Sequence, residues 1–248
     1  MMRTLLVRGL IAGLIAGIAA AIFAFVFGEP HIEAAIAIEE ANAATEAGHD
    51  HAEEAPIVSR DIQKSLGLLT ANAATGLALG GLFSLAFAFV YGRFGAFSAR
   101  AYSAFLAVAA FTAVSLVPFL KYPANPPAVG QEGTIASRTE LYFVLLAISV
   151  IAAGLACYAV KVLAEKLGGW TAGSIGLVGY VAVMAACGWL LPAVNEVPEG
   201  FPATLMWDFR VTALGTLVVL WAVLGLTFGA LVHRALGSEQ RQAEPVAA

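Results

Sequence analysis

The sequence predicts an all-α integral membrane protein with six transmembrane helices, arranged as three outward hairpins with both termini in the cytoplasm. Apolar residues make up 60% of the 248 residues and charged residues only 12%, whereas soluble domains average about 25% charged residues. The charges also cluster and leave six uncharged windows of about 20 residues or more, the length that a helix needs to cross the hydrocarbon core. Lipid is therefore the main solvent of this chain.

Helices account for these windows better than a β-barrel does. Backbone polar groups find no partner in lipid, so only helices and closed barrels span a membrane. Barrel strands alternate strictly over about ten residues, but the window from Leu141 to Val160 is apolar on all sides. The predicted spans cover residues 8–28, 66–91, 101–120, 141–160, 170–192 and 211–233.

These spans define three regions of the chain. Residues 1–237 form a polytopic membrane domain, residues 29–64 within it form an acidic outer loop with histidines, and residues 238–248 form a cytoplasmic tail that we expect to be disordered. Arg3 and Arg8 precede the first span, as they would in a secretory signal. Its apolar run is longer than the roughly 7–15 residues of a signal and lacks a small-residue cleavage site directly after it, so we expect it to be retained.

The distribution of charge predicts the orientation. With the spans joined on alternating sides, one face receives both termini and two loops, which hold eight basic and three acidic residues. The other face receives three loops with five basic and fourteen acidic residues. Because Lys and Arg near span ends mark the cytoplasmic side, the first face is predicted to lie inside. The acidic outer face would attract cations.

Glycine recurs at every fourth position of the first span, at Gly9, Gly13 and Gly17. Small residues let two membrane helices approach closely, and van der Waals contact then replaces the hydrophobic effect that lipid does not provide. We predict a helix-packing face here, with a partner either within the chain or in another chain. The alternative is that glycine is simply frequent in membrane helices.

Three metal-ligating side chains, Glu29, His31 and Glu33, come directly after the first span. They would lie on one side of an extended segment, whereas only Glu29 and Glu33 share a face if the segment is helical. Imidazole suits divalent transition metals, and carboxylates add negative charge. We predict a metal site here, with hydrated loop residues as the alternative.

Two further segments hold candidate metal ligands. His49, Asp50 and His51 are followed by two glutamates, and such a His-rich tract is typical of a flexible collector of cations. The alternative for this tract is a merely solvated run of charge. In the third outer loop, Glu196 is either part of a cation path or a cap for a helix end.

The sequence carries no signature of an enzyme. It lacks the phosphate loop of P-loop ATPases, the H-E-x-x-H zinc helix and the G-x-S-x-G nucleophile elbow. Cys157 and Cys187 lie near the middle of apolar spans and are predicted to be small packing residues, because disulfide frameworks belong to small secreted domains. We therefore expect no enzymatic activity, no tightly bound cofactor and no nucleic-acid partner.

Each outer loop contains proline and ends with an arginine, at Arg60, Arg138 or Arg210. In the last two loops prolines also flank an asparagine, Asn125 and Asn195 respectively. Internal repeats are common in transporters, but the same residues also stop helices. Both interpretations remain open.

Several segments together carry a family resemblance. They are Gly28-Glu29-Pro30 with Ala35-Ile36-Ala37, Val58-Ser59-Arg60 with Gln63, the run from Pro118 to Gly130, Leu191-Pro192 with Asn195-Glu196-Val197-Pro198, and Phe201-Pro202 with Trp207 and Phe209-Arg210. The most specific positions are Lys121, Tyr122, Pro123, Asn125, Pro126 and Pro127, accompanied by Asn195 and Arg210. From Met1 to about Gly237, the chain resembles the CbtA family of predicted cobalt transporter subunits.

The resemblance implies a subunit for cobalt uptake in the bacterial inner membrane, linked to cobalamin metabolism, with Co²⁺ as the transported ion. It also implies a small one-span partner with a His-rich end, similar to CbtB, and one span fewer than the six predicted above. Besides the lipid bilayer, a second copy of the chain is a further candidate partner.

Two functions from different classes fit these observations. The first is a permease subunit for a divalent transition metal, in which Glu29, His31 and Glu196 pass the ion toward the helices. The second is a membrane scaffold or assembly protein with no metal transport of its own, whose glycine faces hold a partner. The ligand types do not distinguish cobalt from nickel or zinc.

Overall fold

The computed structural model describes residues 2–46, 58–93, 95–130 and 132–243, and the regular structure of these residues is entirely helical. The α-helical segments are Met2–Phe23, Glu29–Glu46, Arg60–Ile62, Leu68–Val90, Ala99–Ala110, Val117–Lys121, Ile135–Leu167, Gly169–Leu190 and Ala203–Ala243. The π-helical turns Ala24–Gly28, Gln63–Gly67 and Phe111–Leu116 continue these helices, and Glu132–Thr134 is a short 3-10 turn.

Among these described residues, six helices are long and apolar enough to cross a membrane, which confirms the predicted number. We call them spans 1 to 6, and they cover Met2–Ala44, Arg60–Val90, Ala99–Lys121, Ile135–Leu167, Gly169–Leu190 and Ala203–Leu236. Trp170 and Trp189 are almost fully exposed near the two ends of span 5. They lie about 28 Å apart along the helix axis, which matches a hydrocarbon core of roughly 30 Å.

The outer loop predicted over residues 29–64 is helical at both ends, which corrects its boundaries. The first helix continues through Glu29–Glu46, and the second begins at Arg60. Proline usually stops a helix because its ring clashes with the carbonyl group four residues earlier. For Pro30 that residue lies in the π-helical turn Ala24–Gly28, where the regular bonding pattern is shifted. Residues 47–57 lie outside the described part of the chain.

The C-terminal tail is also more helical than predicted. The helix of span 6 continues to Ala243, so residues 238–243 are helical rather than disordered. The segment from Glu239 to Ala243 consists of Glu, Gln, Arg and Ala, all of which favour helix. Residues 244–248 lie outside the described residues.

The chain packs as two compact units. The first combines Met1–Glu29, Ala52–Val108 and Gly215–Ala248, and the second combines Pro30–His51 and Ala109–Leu214. Each unit has its own close helix contacts.

In the first unit, the glycine face of span 1 packs directly on span 2. Gly9, Gly13 and Gly17 are buried, and Gly76 and Gly80 of span 2 lie opposite them. A Cβ atom added to Gly13 would overlap the carbonyl oxygen of Gly76, and one added to Gly9 would overlap that of Gly80. The partner of this face is therefore another helix of the same chain.

Spans 3 and 6 are in similarly close contact within the first unit. Gly225 and Gly229 both lie against Ser103, and the Ser103 hydroxyl donates a hydrogen bond of 2.6 Å to the Gly225 carbonyl oxygen. The buried rings of Phe87 from span 2 and Phe228 from span 6 pack edge to face, with their centroids 5.1 Å apart. Glycine thus brings two backbones together, while aromatic rings fill the remaining space.

In the second unit, spans 4 and 5 form a helical hairpin around Gly168, whose φ of +78° favours glycine. Gly176 of span 5 lies against Val160 of span 4. The buried Ser149 hydroxyl of span 4 donates a hydrogen bond of 2.7 Å to the Ala113 carbonyl oxygen of span 3. Ala113 belongs to the π-helical turn Phe111–Leu116, so a side chain from span 4 satisfies a carbonyl group of that turn.

Neither cysteine forms a disulfide, and their positions differ from each other. Cys187 is half-buried, but Cys157 is exposed on span 4. The predicted packing role is wrong for Cys157, because little of span 4 is covered by other described helices. Shortening a side chain lowers the stability of a protein most where the side chain is buried among neighbours. Cys157 is exposed, so it does not have such a packing role.

We expect Gly13→Val to lower the stability of the protein, because the added side chain would overlap the Gly76 carbonyl group. Overpacking of this kind costs roughly 1–3 kcal/mol, and the melting temperature of the purified protein in detergent would show the loss. Gly154→Val is the matched control, since nothing lies within 4 Å of a Cβ at Gly154. Equal melting temperatures for the two variants would contradict the backbone contact between spans 1 and 2.

Candidate functional site

The first candidate site is an ion pair between Glu29 and Arg60 in the first unit. Glu29 follows the π-helical turn Ala24–Gly28 of span 1, and its side chain is only 8% exposed. Arg60 is the first helical residue of span 2, and its Nη2 donates a short hydrogen bond to Glu29 Oε2. The pair thus joins the end of the first apolar window to the start of the second helix.

The surroundings of this pair are irregular on both helices. The turn Ala24–Gly28 lies immediately before Glu29, and the turn Gln63–Gly67 begins three residues after Arg60. Such π-helical turns are rare and are frequently found at functional sites. In addition, Arg60 Nε is a buried side-chain atom without a hydrogen-bond partner among the described residues.

The second candidate site is a buried carboxylate in the second unit. Glu196 has a side chain only 4% exposed, and it forms an ion pair with Nη1 of Arg138 through Oε2. Its other oxygen, Oε1, accepts a short hydrogen bond from the Thr134 hydroxyl. Gly130, with a φ of +138°, lies beside both charged groups. Both oxygens of this carboxylate are therefore bonded by the protein itself.

Two residues of the family motif fasten the loop after span 3 to the end of span 5. Lys121 Nζ donates a hydrogen bond of 2.9 Å to the Gly188 carbonyl oxygen, and the Tyr122 hydroxyl donates one of 2.9 Å to the Pro192 carbonyl oxygen. Burial raises the pKa of Tyr122 above its ordinary value, because the phenolate would lose its hydration. The hydroxyl therefore keeps its proton at neutral pH and remains a donor.

Arg210 of span 6 fastens the same loop from the other side. Its Nη2 donates to the side-chain oxygen of Asn125 at 3.1 Å, and its Nε donates to the Ala124 carbonyl oxygen at 3.4 Å. Of the motif prolines, Pro126 is buried while Pro123 and Pro127 are half-buried. The loop is therefore held in place by hydrogen bonds to backbone carbonyl groups and to the side-chain amide of Asn125.

Asn195, the motif residue of the second loop, has a local role. Its side chain is exposed, and its Oδ1 accepts a hydrogen bond of 3.4 Å from the backbone N–H of Val197. Asparagine commonly supports turns by bonding the backbone two residues further on. The bond helps to fix the backbone around Glu196.

The structure does not bring the predicted metal ligands together. Residues 29–46 are helical, so Glu29 and Glu33 fall on one face and His31, two positions from each, falls on the opposite side. The run from His49 to His51, including Asp50, lies outside the described residues. Within residues 2–46, 58–93, 95–130 and 132–243, no group of three His, Cys, Asp or Glu side chains could hold a metal ion. The metal role of these residues stays a prediction.

The two buried glutamates stand out in the sequence as candidate site residues, but their arginine partners do not. Arg60 lies 31 positions from Glu29, and Arg138 lies 58 positions from Glu196, so no local pattern links them. One signal was available, because every predicted outer loop ends with an arginine. A carboxylate buried near lipid requires a positive partner, and these arginines were the nearest candidates.

We expect Arg138→Gln to destabilise the protein by roughly 3 kcal/mol, because it leaves the buried Glu196 carboxylate without its counter-charge. The melting temperature in detergent would fall by several degrees. Asp61→Asn is the control, since it breaks the Lys64–Asp61 pair, in which Asp61 is 88% exposed, and such pairs contribute about 1 kcal/mol or less. A melting temperature for Arg138→Gln that matches the control would show that the Glu196 pair is not structural.

Comparison with protein-family models identifies the chain over almost its full length. Residues 2–233 match the family described as CbtA, probable cobalt transporter subunit. Neither the curated proteins nor the solved structures include a match to this chain. The family match confirms the resemblance carried by the loop motifs and points away from an enzymatic activity. This multi-pass membrane protein therefore belongs to the CbtA family of probable cobalt transporter subunits.

Proposed function

We propose that the protein is the membrane subunit of an uptake system for divalent transition metals, with Co²⁺ as its main ion, in the bacterial inner membrane. The observation that carries the proposal is Glu29, a buried carboxylate within span 1 that forms an ion pair with Arg60. Ionisable groups at such positions are costly and usually mark ion pathways. Family membership supplies the ion, because the family is described as a probable cobalt transporter subunit.

The proposed path begins on the acidic side of the protein. The fourteen acidic residues of the predicted outer face raise the local concentration of cations. His49, Asp50 and His51 then capture the ion loosely, and His31 and Glu33 lie between this tract and Glu29 in the chain. Imidazole and carboxylate groups are suitable ligands for Co²⁺, and they also bind Ni²⁺ and Zn²⁺.

We further propose that the chain works with a small one-span subunit with a His-rich end, and that the imported cobalt serves cobalamin metabolism. Both statements rest on the resemblance carried by the loop motifs, since the family's description as a probable cobalt transporter subunit names neither of them. Spans 4 and 5 offer the room for such a helix, since little of either span is covered by other described helices. A second copy of the chain could occupy the same surface.

The scaffold function has less support than metal uptake. It depends on glycine faces that are free to hold another protein. In the structure, however, the face of Gly9, Gly13 and Gly17 is covered by span 2, and Gly225 and Gly229 lie against span 3. These faces therefore assemble the chain itself.

Cobalt uptake in cells that lack the chromosomal gene and express variants of this chain tests the proposal. We expect Glu29→Gln to lower uptake of radioactive Co²⁺ about tenfold or more, the usual effect of disturbing a metal site. Glu199→Gln is the matched control, because Glu199 is an exposed carboxylate, and it should leave uptake unchanged. Uptake that is the same with and without the chain, with the partner co-expressed, would refute the proposed function.

A further inference from the structure

The two glutamate–arginine pairs of this protein are not equivalent. At Glu196 both carboxylate oxygens accept hydrogen bonds, one from Thr134 and one from Arg138. At Glu29 the bond comes from Nη2 of Arg60, while the neighbouring Nε of the same guanidinium is buried without a hydrogen-bond partner among the described residues. Among the described residues, the Glu196 carboxylate therefore has both oxygens bonded, whereas the Arg60 guanidinium has one buried donor without a partner.

An unused buried donor makes the first pair easier to separate. A buried N–H without a partner loses its hydration and gains nothing in return, so the folded state is penalised for keeping Arg60 in this position. The Arg60 side chain is also 34% exposed. Part of the side chain is therefore already outside the helix packing, and in water all five N–H donors of a guanidinium can be bonded.

The helices on both sides of the pair are also irregular. Span 1 carries the π-helical turn Ala24–Gly28 directly before Glu29, and span 2 carries the turn Gln63–Gly67 just after Arg60. Each turn breaks the regular pattern of α-helical hydrogen bonds. A turn with shifted hydrogen bonding thus joins the segment that holds Arg60 to the rest of span 2, whereas Arg138 lies within the uninterrupted helix Ile135–Leu167.

We infer that Arg60 is the resident counter-cation of Glu29, and that a divalent metal cation binds this carboxylate by displacing the Arg60 guanidinium. The inference rests on the proposed function and assigns Arg60 a positioning role that determines which ions can bind. A monovalent cation would replace one positive charge by another and gain little. A divalent cation brings twice the charge to the same carboxylate, so the exchange favours it.

The test uses the full-length protein, purified in detergent, with His49→Ala and His51→Ala as a common background so that these histidines do not contribute heat. Titration calorimetry with Co²⁺ then measures Kd for each variant. We expect Arg60→Gln to bind Co²⁺ about tenfold more tightly, a usual size for coupling between two ligands. Arg60→Lys keeps the positive charge and should stay close to the parent protein.

Two controls separate exchange from a general change in charge. The double variant Arg60→Gln/Glu29→Gln should lose the gain in affinity, because the carboxylate itself is gone. Arg93→Gln removes one positive charge from an exposed arginine that donates to the Phe89 carbonyl oxygen, and it should leave the Kd for Co²⁺ unchanged. Tighter binding by the double variant or by Arg93→Gln to the same extent as by Arg60→Gln would overturn the inference.

A second measurement needs no arginine variant and therefore remains decisive if Arg60→Gln fails to fold. In hydrogen–deuterium exchange of the background protein, saturating Co²⁺ should increase exchange at residues 60–67, since the ion releases Arg60 from Glu29. The increase should be absent in Glu29→Gln. Unchanged or slower exchange at residues 60–67 with bound Co²⁺ would overturn the inference.

Failure of the inference and failure of the proposed function give different results. If Co²⁺ enters cells through the chain but Arg60→Gln leaves the Kd for Co²⁺ unchanged, the metal ion does not displace Arg60 from Glu29, while the proposed uptake function is retained. If no variant shows saturable Co²⁺ binding and cells gain no cobalt, both are wrong.

Discussion

The hydrocarbon core offers no hydrogen-bond partners and no hydration, so every polar group of a span must be satisfied by the chain itself. This constraint explains the helices, and it also explains how they contact one another. Ser103 and Ser149 donate their hydroxyls to backbone carbonyl groups of neighbouring helices. At the ends of the apolar windows, where full charges occur, the same requirement is met by pairs of glutamate and arginine.

Features that depend on neighbouring residues in the sequence could be predicted well. The six spans follow from uncharged windows, and the glycine face follows from its repeat of four residues. The ends of the helices were harder to predict, because residues 29–46 are polar enough to be taken for a loop and yet consist mainly of helix-forming Ala and Glu after a π-helical turn. Here the distortion before Pro30 decides the outcome, and the periodicity of the residues does not predict it.

The candidate site depends on contacts between distant residues, and its main feature was therefore out of reach. Glu29 was selected as a metal ligand together with His31, but the helix places them on different faces, and Arg60 is the group that the structure places beside Glu29. The roles of the family motif were also out of reach. Lys121, Tyr122 and Arg210 donate hydrogen bonds to backbone carbonyl groups. These residues hold the loop in place, and they are not ligands for an exchangeable ion.

The helical continuation of the first span has a consequence for how ions reach the membrane. Glu29–Glu46 comprises 18 residues, so its far end stands about 25 Å from Glu29 along the helix axis. That length is roughly three times the distance over which physiological salt screens a charge. Charges at the far end of this helix are therefore screened from the Glu29 carboxylate, so they can gather ions without changing how strongly Glu29 binds one.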